Sequence, residues 1–103
     1  MRSGEVRWLA TAEDDLDTLF RYVALESGSL ATALGYIDRI IEKCDKLALF
    51  PLSGRSQSEY SPGLRSTPFE RLMIFYRAED RGIAVLRVVN AARDYRVLFE
   101  LDD

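Results

Sequence analysis

A long apolar stripe between Leu30 and Ala48 constrains the fold of this chain more than any other feature of its sequence. Apolar residues recur there at spacings of three and four, the period of an α-helix with one buried face. The stripe extends over about five helical turns. Ser29 fits the N-cap position before it, and Pro51 disfavours helix at Phe50. The stripe consists of Leu30, Ala33, Leu34, Ile37, Ile40, Ile41, Cys44, Leu47 and Ala48.

A second helix is predicted immediately before this one. Thr11 resembles an N-cap residue, and the acids that follow it would lie where the helix dipole favours negative charge. We expect the helix to end near Gly28, which tolerates positive φ. A connection of two or three residues makes the two helices an antiparallel hairpin. The apolar face of this helix consists of Leu16, Leu19, Phe20 and Val23.

The rest of the chain is typical of a small sheet. Alternating residues predict a short strand over Glu5–Ala10, and residues 52–63 form a polar loop. The tail Asp94–Phe99 is short and apolar, and it is either a helix or a strand. Further strands are predicted at Leu64–Thr67, Arg71–Arg77 and Ile83–Asn90, with turn chemistry over Glu79–Gly82.

The order β-α-α-β-β-β predicts an α+β fold with the hairpin packed on a mainly antiparallel sheet. Ile83–Asn90 is apolar on both faces except at Arg87, which indicates a central strand. Simple alternation places Ala84, Leu86 and Val88 on one face. We expect one domain over residues 1–103, with the sheet face opposite the helices open to solvent or to a partner.

Composition excludes several kinds of chemistry. The chain has no histidine and one cysteine, so neither imidazole acid–base catalysis nor a cysteine-based zinc site is available. Cys44 lies in the apolar stripe and is expected to be a core residue. Asp15 and its acidic neighbours are interpreted as helix-start charges. We expect no metal, no cofactor and no catalytic residue. Because neither a secretory signal nor a membrane-spanning run is visible, we expect a cytoplasmic protein.

Charge is divided unevenly along the chain. Residues 1–51 contain six Lys and Arg against nine Asp and Glu, whereas residues 53–99 contain eight arginines, no lysine and five acids. Arginine is a fork-shaped donor that keeps its proton, so it suits holding carboxylates, phosphates or carbonyl groups. The asymmetry is either a solvated surface or a face that receives an acidic or polar partner. The candidate binding residues are Arg55, Arg65, Arg71, Arg77, Arg87, Asn90, Arg93 and Tyr95.

Three of these candidates carry explicit alternatives. Arg87 lies among apolar residues, where an unpaired guanidinium is costly to bury. It is therefore part of an internal salt bridge, a snorkelling edge residue, or an anchor for a partner's carboxylate or backbone. The pair Arg93–Asp94 either fixes a strand end to a loop or belongs to the site. Tyr95 is either packed or available as an acid or a ligand contact.

An ordered set of motifs resembles the ParE toxins of the ParE/RelE superfamily. The motifs are D-L-D-T-L-F-R-Y-V (Asp15–Val23), I-x-x-C-x-x-L (Ile41–Leu47), F-P-L-S-G-R, P-G-L-R, I-F-Y-R and I-A-V-L-R-V-V-N-x-x-R-D. The resemblance as a whole covers residues 5–99. The resemblance implies a RelE/ParE-like fold and a bacterial type II toxin. It also implies a ParD-like antitoxin in a hetero-oligomer, DNA gyrase as the target, and operator DNA bound only through the antitoxin.

One departure from the family pattern bears on activity. Many members carry histidine at the position of Asn90, and ribonuclease relatives use sheet lysines, whereas Lys43 and Lys46 both lie on the second helix. A pI near 5.0 also gives weak attraction to RNA. These features favour a gyrase inhibitor that acts by binding. One alternative is a ribosome-dependent mRNA endonuclease in which Arg65, Arg87 and Arg93 neutralise the phosphate charge and Tyr95 or a carboxylate moves the proton. The other is an inactive antitoxin-binding relative.

Overall fold

The computed structural model describes residues 4–93 and 95–100, without the side chains of Arg96 and Glu100. A helical hairpin packs on one face of a five-stranded sheet, so the α+β architecture is confirmed. None of the described helices is long and apolar enough to cross a membrane. The elements are β1 (Glu5–Trp8), α1 (Ala10–Ser27), α2 (Leu30–Leu49), β2 (Arg55–Ser56), β3 (Leu64–Phe69), β4 (Leu72–Glu79), β5 (Gly82–Asn90) and α3 (Tyr95–Glu100).

The turn between α1 and α2 follows the sequence prediction. Gly28 ends α1 in the left-handed region with φ of 69°, and its N–H donates to the Ala24 carbonyl at 2.9 Å. The Ser29 side chain accepts a hydrogen bond from the Thr32 N–H at 3.1 Å, which caps α2. Helix α2 ends at Leu49, before Phe50 and Pro51.

The start of α1 differs from the prediction. The strand ends at Trp8, Leu9 occupies the N-cap position, and no side chain caps the helix. Thr11 lies inside the first turn, and its hydroxyl donates to the Leu86 carbonyl at 2.7 Å. The predicted Thr11 cap and the predicted strand residue Ala10 were therefore wrong, because Thr11 bonds to β5 instead of to its own helix.

The sheet order is β1-β5-β4-β3-β2, with β1 parallel to β5 and every other pair antiparallel. Strand β5 lies inside the sheet between β1 and β4, as its apolar sequence predicted, although β1 covers only its first half. Strand β2 lies within the predicted loop, where Arg55 and Ser56 pair with β3. The loop is also tied down by buried Gln57, which donates to the Ser66 hydroxyl at 2.9 Å.

Both faces of the sheet are covered over much of their area. The helix-side core contains Ala12, Ile40, Cys44, Leu47, Ala48, Leu72, Ile74, Tyr76, Ile83, Val85 and Val88. The second core, on the opposite face, contains Leu64, Phe75, Ala84, Leu86, Val89, Leu98 and Phe99. The apolar tail is thus helical, and α3 packs on the face that we expected to be open. The reason is that Leu98 and Phe99 supply apolar cover for β4 and β5.

A β-bulge changes the faces of β5 halfway along the strand. Phe75 pairs with Arg87 and the next residue, Tyr76, pairs with Val85, so Leu86 is the extra residue. Val88 consequently belongs to the helix-side core, whereas Leu86 belongs to the second core. The predicted grouping of Val88 with Ala84 and Leu86 was wrong, because the extra residue reverses the alternation.

The apolar stripe of α2 includes residues that lie outside the helix-side core. Leu30 and Leu34, near the start of α2, are 66% and 55% exposed. Tyr22 and Leu25, near the end of α1, are also exposed. The tip of the hairpin therefore presents apolar side chains to the surroundings, whereas the sequence pattern had predicted Leu30 and Leu34 to be buried.

The β3–β4 hairpin contains a strained residue. Phe69 pairs with Leu72, so Glu70 and Arg71 form a two-residue connection. Glu70 has a φ of 53°, an unfavourable value for a residue with a side chain. Its carboxylate accepts a hydrogen bond from Arg39 Nε at 3.2 Å, which ties the turn to α2.

We predict that Glu70→Gly raises the free energy of unfolding by about 1 kcal/mol, because glycine adopts positive φ without the steric cost. Glu70→Ala keeps the strain and loses the exposed ion pair, so it should lower stability by about 0.5 kcal/mol. Urea denaturation of both variants measures the difference. A Glu70→Gly protein less stable than the wild type would contradict the strain argument.

Cys44 provides a probe of the helix–sheet contact. Its side chain is fully buried, and burial, with a smaller contribution from Asp45, raises the pKa of the thiol to about 12. At pH 8 the thiol of the folded protein therefore stays protonated and shielded. We predict that labelling by an aromatic disulfide reagent is at least about 100-fold slower than in urea, since it requires opening of the core. Equal rates in the two states would show that the core does not protect this side chain.

Candidate functional site: an arginine-lined cleft

Arg77 and Arg87 line the same cleft, of about 400 Å³, on the side of the sheet that carries α3. Its walls come from the β1–α1 junction, the loop after β2, strands β4 and β5, and α3. We call it the arginine cleft. Its lining consists of Leu9, Thr11, Tyr60, Ser61, Pro62, Arg77, Leu86, Arg87 and Phe99.

Arg87 forms a two-point ion pair with Asp15 of α1. Its Nε donates to one carboxylate oxygen at 2.8 Å and its Nη2 to the other at 3.0 Å. The two side chains are only 22% and 14% exposed. The structure therefore contains the internal salt bridge, one of the three interpretations of Arg87 offered by the sequence.

Asp15 also accepts a hydrogen bond from the Val88 backbone N–H at 2.8 Å. Strand β1 ends opposite Val85, so the next part of β5 has no strand beside it on that edge. In place of a strand, the side chains of Thr11 and Asp15 bond to the backbone of β5 there. Thr11 donates to the Leu86 carbonyl, and Asp15 accepts from the Val88 N–H. Sequence reasoning missed this role, since it grouped Asp15 with its exposed acidic neighbours. The only available signal was its position in the second turn of the helix that follows a short strand.

Arg77 has a different set of partners. Its Nε donates to the Pro62 carbonyl at 3.2 Å, and its Nη2 contacts the Ser61 hydroxyl. It pairs with Ala84, a residue of the second core, and therefore lies on the same sheet face as Arg87. Within the described part of the chain, Arg77 contacts only neutral oxygens.

Arg65 lies on the opposite sheet face. It pairs with Tyr76 of the helix-side core and donates to the carbonyls of Leu52 and Gly54 at 3.2 and 2.8 Å. The Tyr76 hydroxyl bonds to the same segment, donating to Pro51 and accepting from Gly54. Burial raises the pKa of Tyr76. Through its bonds to the Leu52 and Gly54 carbonyls, Arg65 holds the connection between α2 and β2 in place.

The remaining candidates do not enter the arginine cleft. Arg55, Arg71 and Arg93 are exposed, and no side-chain hydrogen bond joins them to another described residue. Asn90 closes a turn after β5 by accepting from the Ala92 N–H at 2.8 Å. Asp94, the other half of the predicted Arg93 pair, lies outside the described residues.

Tyr95 is packed, one of its two predicted roles. Its hydroxyl donates to the Ala91 carbonyl at 2.7 Å. Its ring lies edge-on to Phe75 with centroids 4.9 Å apart, and it contacts Tyr60 at 6.3 Å. Phe99 joins this group through Phe75 at 5.0 Å. The aromatic cluster holds α3 against the sheet and forms one side of the arginine cleft.

Two apolar depressions lie elsewhere. One of about 320 Å³ runs between α1 and α2, with Glu13 and Asp17 at its rim. Its apolar lining consists of Trp8, Leu16, Phe20, Leu34, Ile37 and Ile41. The other, of about 630 Å³, lies between the α2–β2 connection and the β4–β5 turn, and exposed Phe50 and Leu52 line it. Sequence reasoning singled out neither depression as a site.

The arginine cleft is suited to binding negative charge. Its guanidinium groups are permanent donors, and its walls combine them with apolar and hydroxyl-bearing side chains. Among the described residues, no group of three His, Cys, Asp or Glu side chains could hold a metal ion.

Comparison with known proteins defines the class to which this fold and cleft belong. Residues 6–102 match the family model described as the ParE toxin of the type II toxin–antitoxin system, parDE. The chain is 32% identical over 76 residues to Toxin ParE3 of Caulobacter vibrioides, covering 74% of this chain and 75% of that protein.

A solved structure shares the same fold. The chromosomal ParDE toxin–antitoxin system of P. aeruginosa contains a chain that superposes with a TM-score of 0.71 at 23% identity, covering 84% of this chain and 94% of that one. The chain therefore belongs to the ParE toxin family of type II toxin–antitoxin systems.

We predict that Asp15→Asn lowers the free energy of unfolding by about 2–3 kcal/mol, because it removes the charge of the carboxylate that accepts from both arms of the Arg87 guanidinium and from the Val88 N–H. Asp14→Asn is the matched control: Asp14 is exposed and should change stability by less than about 0.5 kcal/mol. Urea denaturation compares them. Equal stabilities of the two variants would show that the ion pair does not support the fold.

Proposed function

We propose that this protein is a toxin that inhibits DNA gyrase by binding it, and that a ParD-like antitoxin neutralises it. Family membership carries the proposal. The contacts of the arginines support binding rather than catalysis, because Arg65, Arg77 and Arg87 already donate to oxygens of the protein itself. Side chains held in this way are fixed in position before a partner binds, which favours binding over chemistry on a substrate.

The surface between the helices suits the antitoxin. It has an apolar floor and an acidic rim at Glu13 and Asp17, and it continues toward the exposed residues Leu30 and Leu34. An amphipathic segment with apolar anchors and basic flanks would complement it. We propose a cytoplasmic hetero-oligomer of toxin and antitoxin, with operator DNA contacted only through the antitoxin.

The mRNA endonuclease alternative needs Arg65, Arg87 and Arg93 to converge on one phosphate. Arg65 and Arg87 belong to opposite faces of the sheet, since their pairing partners Tyr76 and Phe75 lie in different cores. Arg93 is exposed in the turn after β5. The Tyr95 hydroxyl is hydrogen-bonded to Ala91 within the same turn. This dispersal favours gyrase over the ribosome as the proposed target.

We predict that tightly controlled expression of the chain stops growth and that co-expression of the adjacent open reading frame restores it. We also predict that the purified toxin inhibits gyrase-catalysed supercoiling. The supercoiling assay titrates toxin against gyrase, with the toxin–antitoxin complex as the matched control. Primer extension on cellular transcripts, before and after induction, tests the endonuclease alternative in the same strain.

Unchanged supercoiling at saturating toxin would refute gyrase as the target, and new transcript ends would then assign the activity to RNA. Normal growth together with tight binding of the neighbouring protein would identify an inactive antitoxin-binding relative.

A further inference from the structure

The arginines of this protein differ in the charge of the groups they contact. Arg7 pairs with Glu79, Arg39 with Glu70, Arg81 with Glu5 and Arg87 with Asp15. Arg77, by contrast, is half-buried and bonds only to the Pro62 carbonyl and the Ser61 hydroxyl. A guanidinium carries five N–H donors, so Arg77 retains several that no described residue accepts.

The position of Arg77 makes those donors accessible to a ligand. It lines the arginine cleft, whose opposite walls come from the β1–α1 junction and α3. Apolar groups at Leu9, Leu86 and Phe99 lower the exposure of the cleft to water. Charge-assisted hydrogen bonds strengthen in such surroundings, and a planar carboxylate matches the guanidinium fork.

We propose that Arg77 receives a side-chain carboxylate of the antitoxin, which enters the arginine cleft as an acidic residue flanked by apolar ones. This inference rests on the proposed toxin–antitoxin pairing and names the chemistry of one contact in it. Ser61 and Pro62 hold the guanidinium in place before binding, so little side-chain entropy remains to be lost on association.

A carboxylate fits this cleft better than the phosphate of a nucleic acid. The chain has a net charge of −3, which repels a polyanion, whereas a peptide segment can present one acid within an otherwise apolar or basic sequence. The apolar wall at Leu9, Leu86 and Phe99 would contact the neighbours of that acid. The phosphate groups themselves have no apolar part that could contact this wall.

The first experiment measures the site without the antitoxin. Nitrogen-15 NMR follows the Nε–H signals of the arginines while succinate is added, with succinamide as the uncharged control and inorganic phosphate as the competing anion. We expect succinate to shift the Arg77 signal and the Ser61 amide more than the signals of exposed Arg55 and Arg71. In Arg77→Met the Ser61 shift should disappear. Equal shifts at all exposed arginines, or a preference for phosphate, would overturn the inference.

The second experiment measures binding of the protein encoded by the adjacent open reading frame, by calorimetry. Arg77→Met should weaken the affinity roughly 10- to 100-fold, and Arg77→Lys, which keeps the charge but not the fork, should fall between it and the wild type. Arg71→Met is the matched control and should bind like the wild type. Wild-type affinity in a folded Arg77→Met protein would overturn the inference. Failure of the wild-type toxin to bind would instead refute the proposed pairing, while the succinate result would still report on the cleft.

Discussion

The hydrogen bonds of Asp15 join the helical hairpin to the centre of the sheet. Strand β1 is four residues long and leaves the second half of β5 without a neighbouring strand on that edge. One carboxylate then accepts the Val88 N–H and both arms of the Arg87 guanidinium. A buried N–H or a buried charge without a partner would each cost on the order of 1–3 kcal/mol or more. The start of α1 therefore completes the sheet, and its position beside β5 follows from that contact.

The bulge in β5 lies next to the two residues that bond to Asp15, Arg87 and Val88. The extra residue, Leu86, sends its carbonyl to Thr11 and its side chain into the second core. Val88 returns to the helix-side core two residues later. The inserted residue thus exchanges the faces of the second half of β5, so Arg87 pairs with Phe75 of the second core and forms its ion pair with Asp15. Without the bulge, regular alternation would put the Arg87 guanidinium on the sheet face of Ile83 and Val85, in the helix-side core.

The parts of this fold that were predictable from sequence are those set by local chemistry. Helix α2, the Gly28 and Ser29 caps and the central position of β5 follow from periodicity and capping within a few residues. The misassigned parts depend on residues far apart in the chain. Thr11 is the clearest case: its hydroxyl fits a local cap, yet it bonds to Leu86, 75 residues away. Strand β2 and the packing of α3 were not predicted either, because elements of two and six residues are too short to show a periodic pattern.

The same limit explains why counting arginines could not locate the site. The eight arginines between residues 53 and 99 have the same side-chain chemistry, so the sequence cannot distinguish them. In the structure they differ in the groups that they contact. Arg65 holds a loop through carbonyls, Arg87 is neutralised by Asp15, and Arg77 contacts neutral oxygens inside a cleft. Since a guanidinium cannot lose its proton, the charge of its neighbours decides how much binding capacity it keeps. By that criterion Arg77 differs from Arg87, although both lie on one face of the sheet and line one cleft. In a small domain of this kind, the charges of the groups that each arginine contacts are therefore a better guide to a recognition site than residue type or exposure alone.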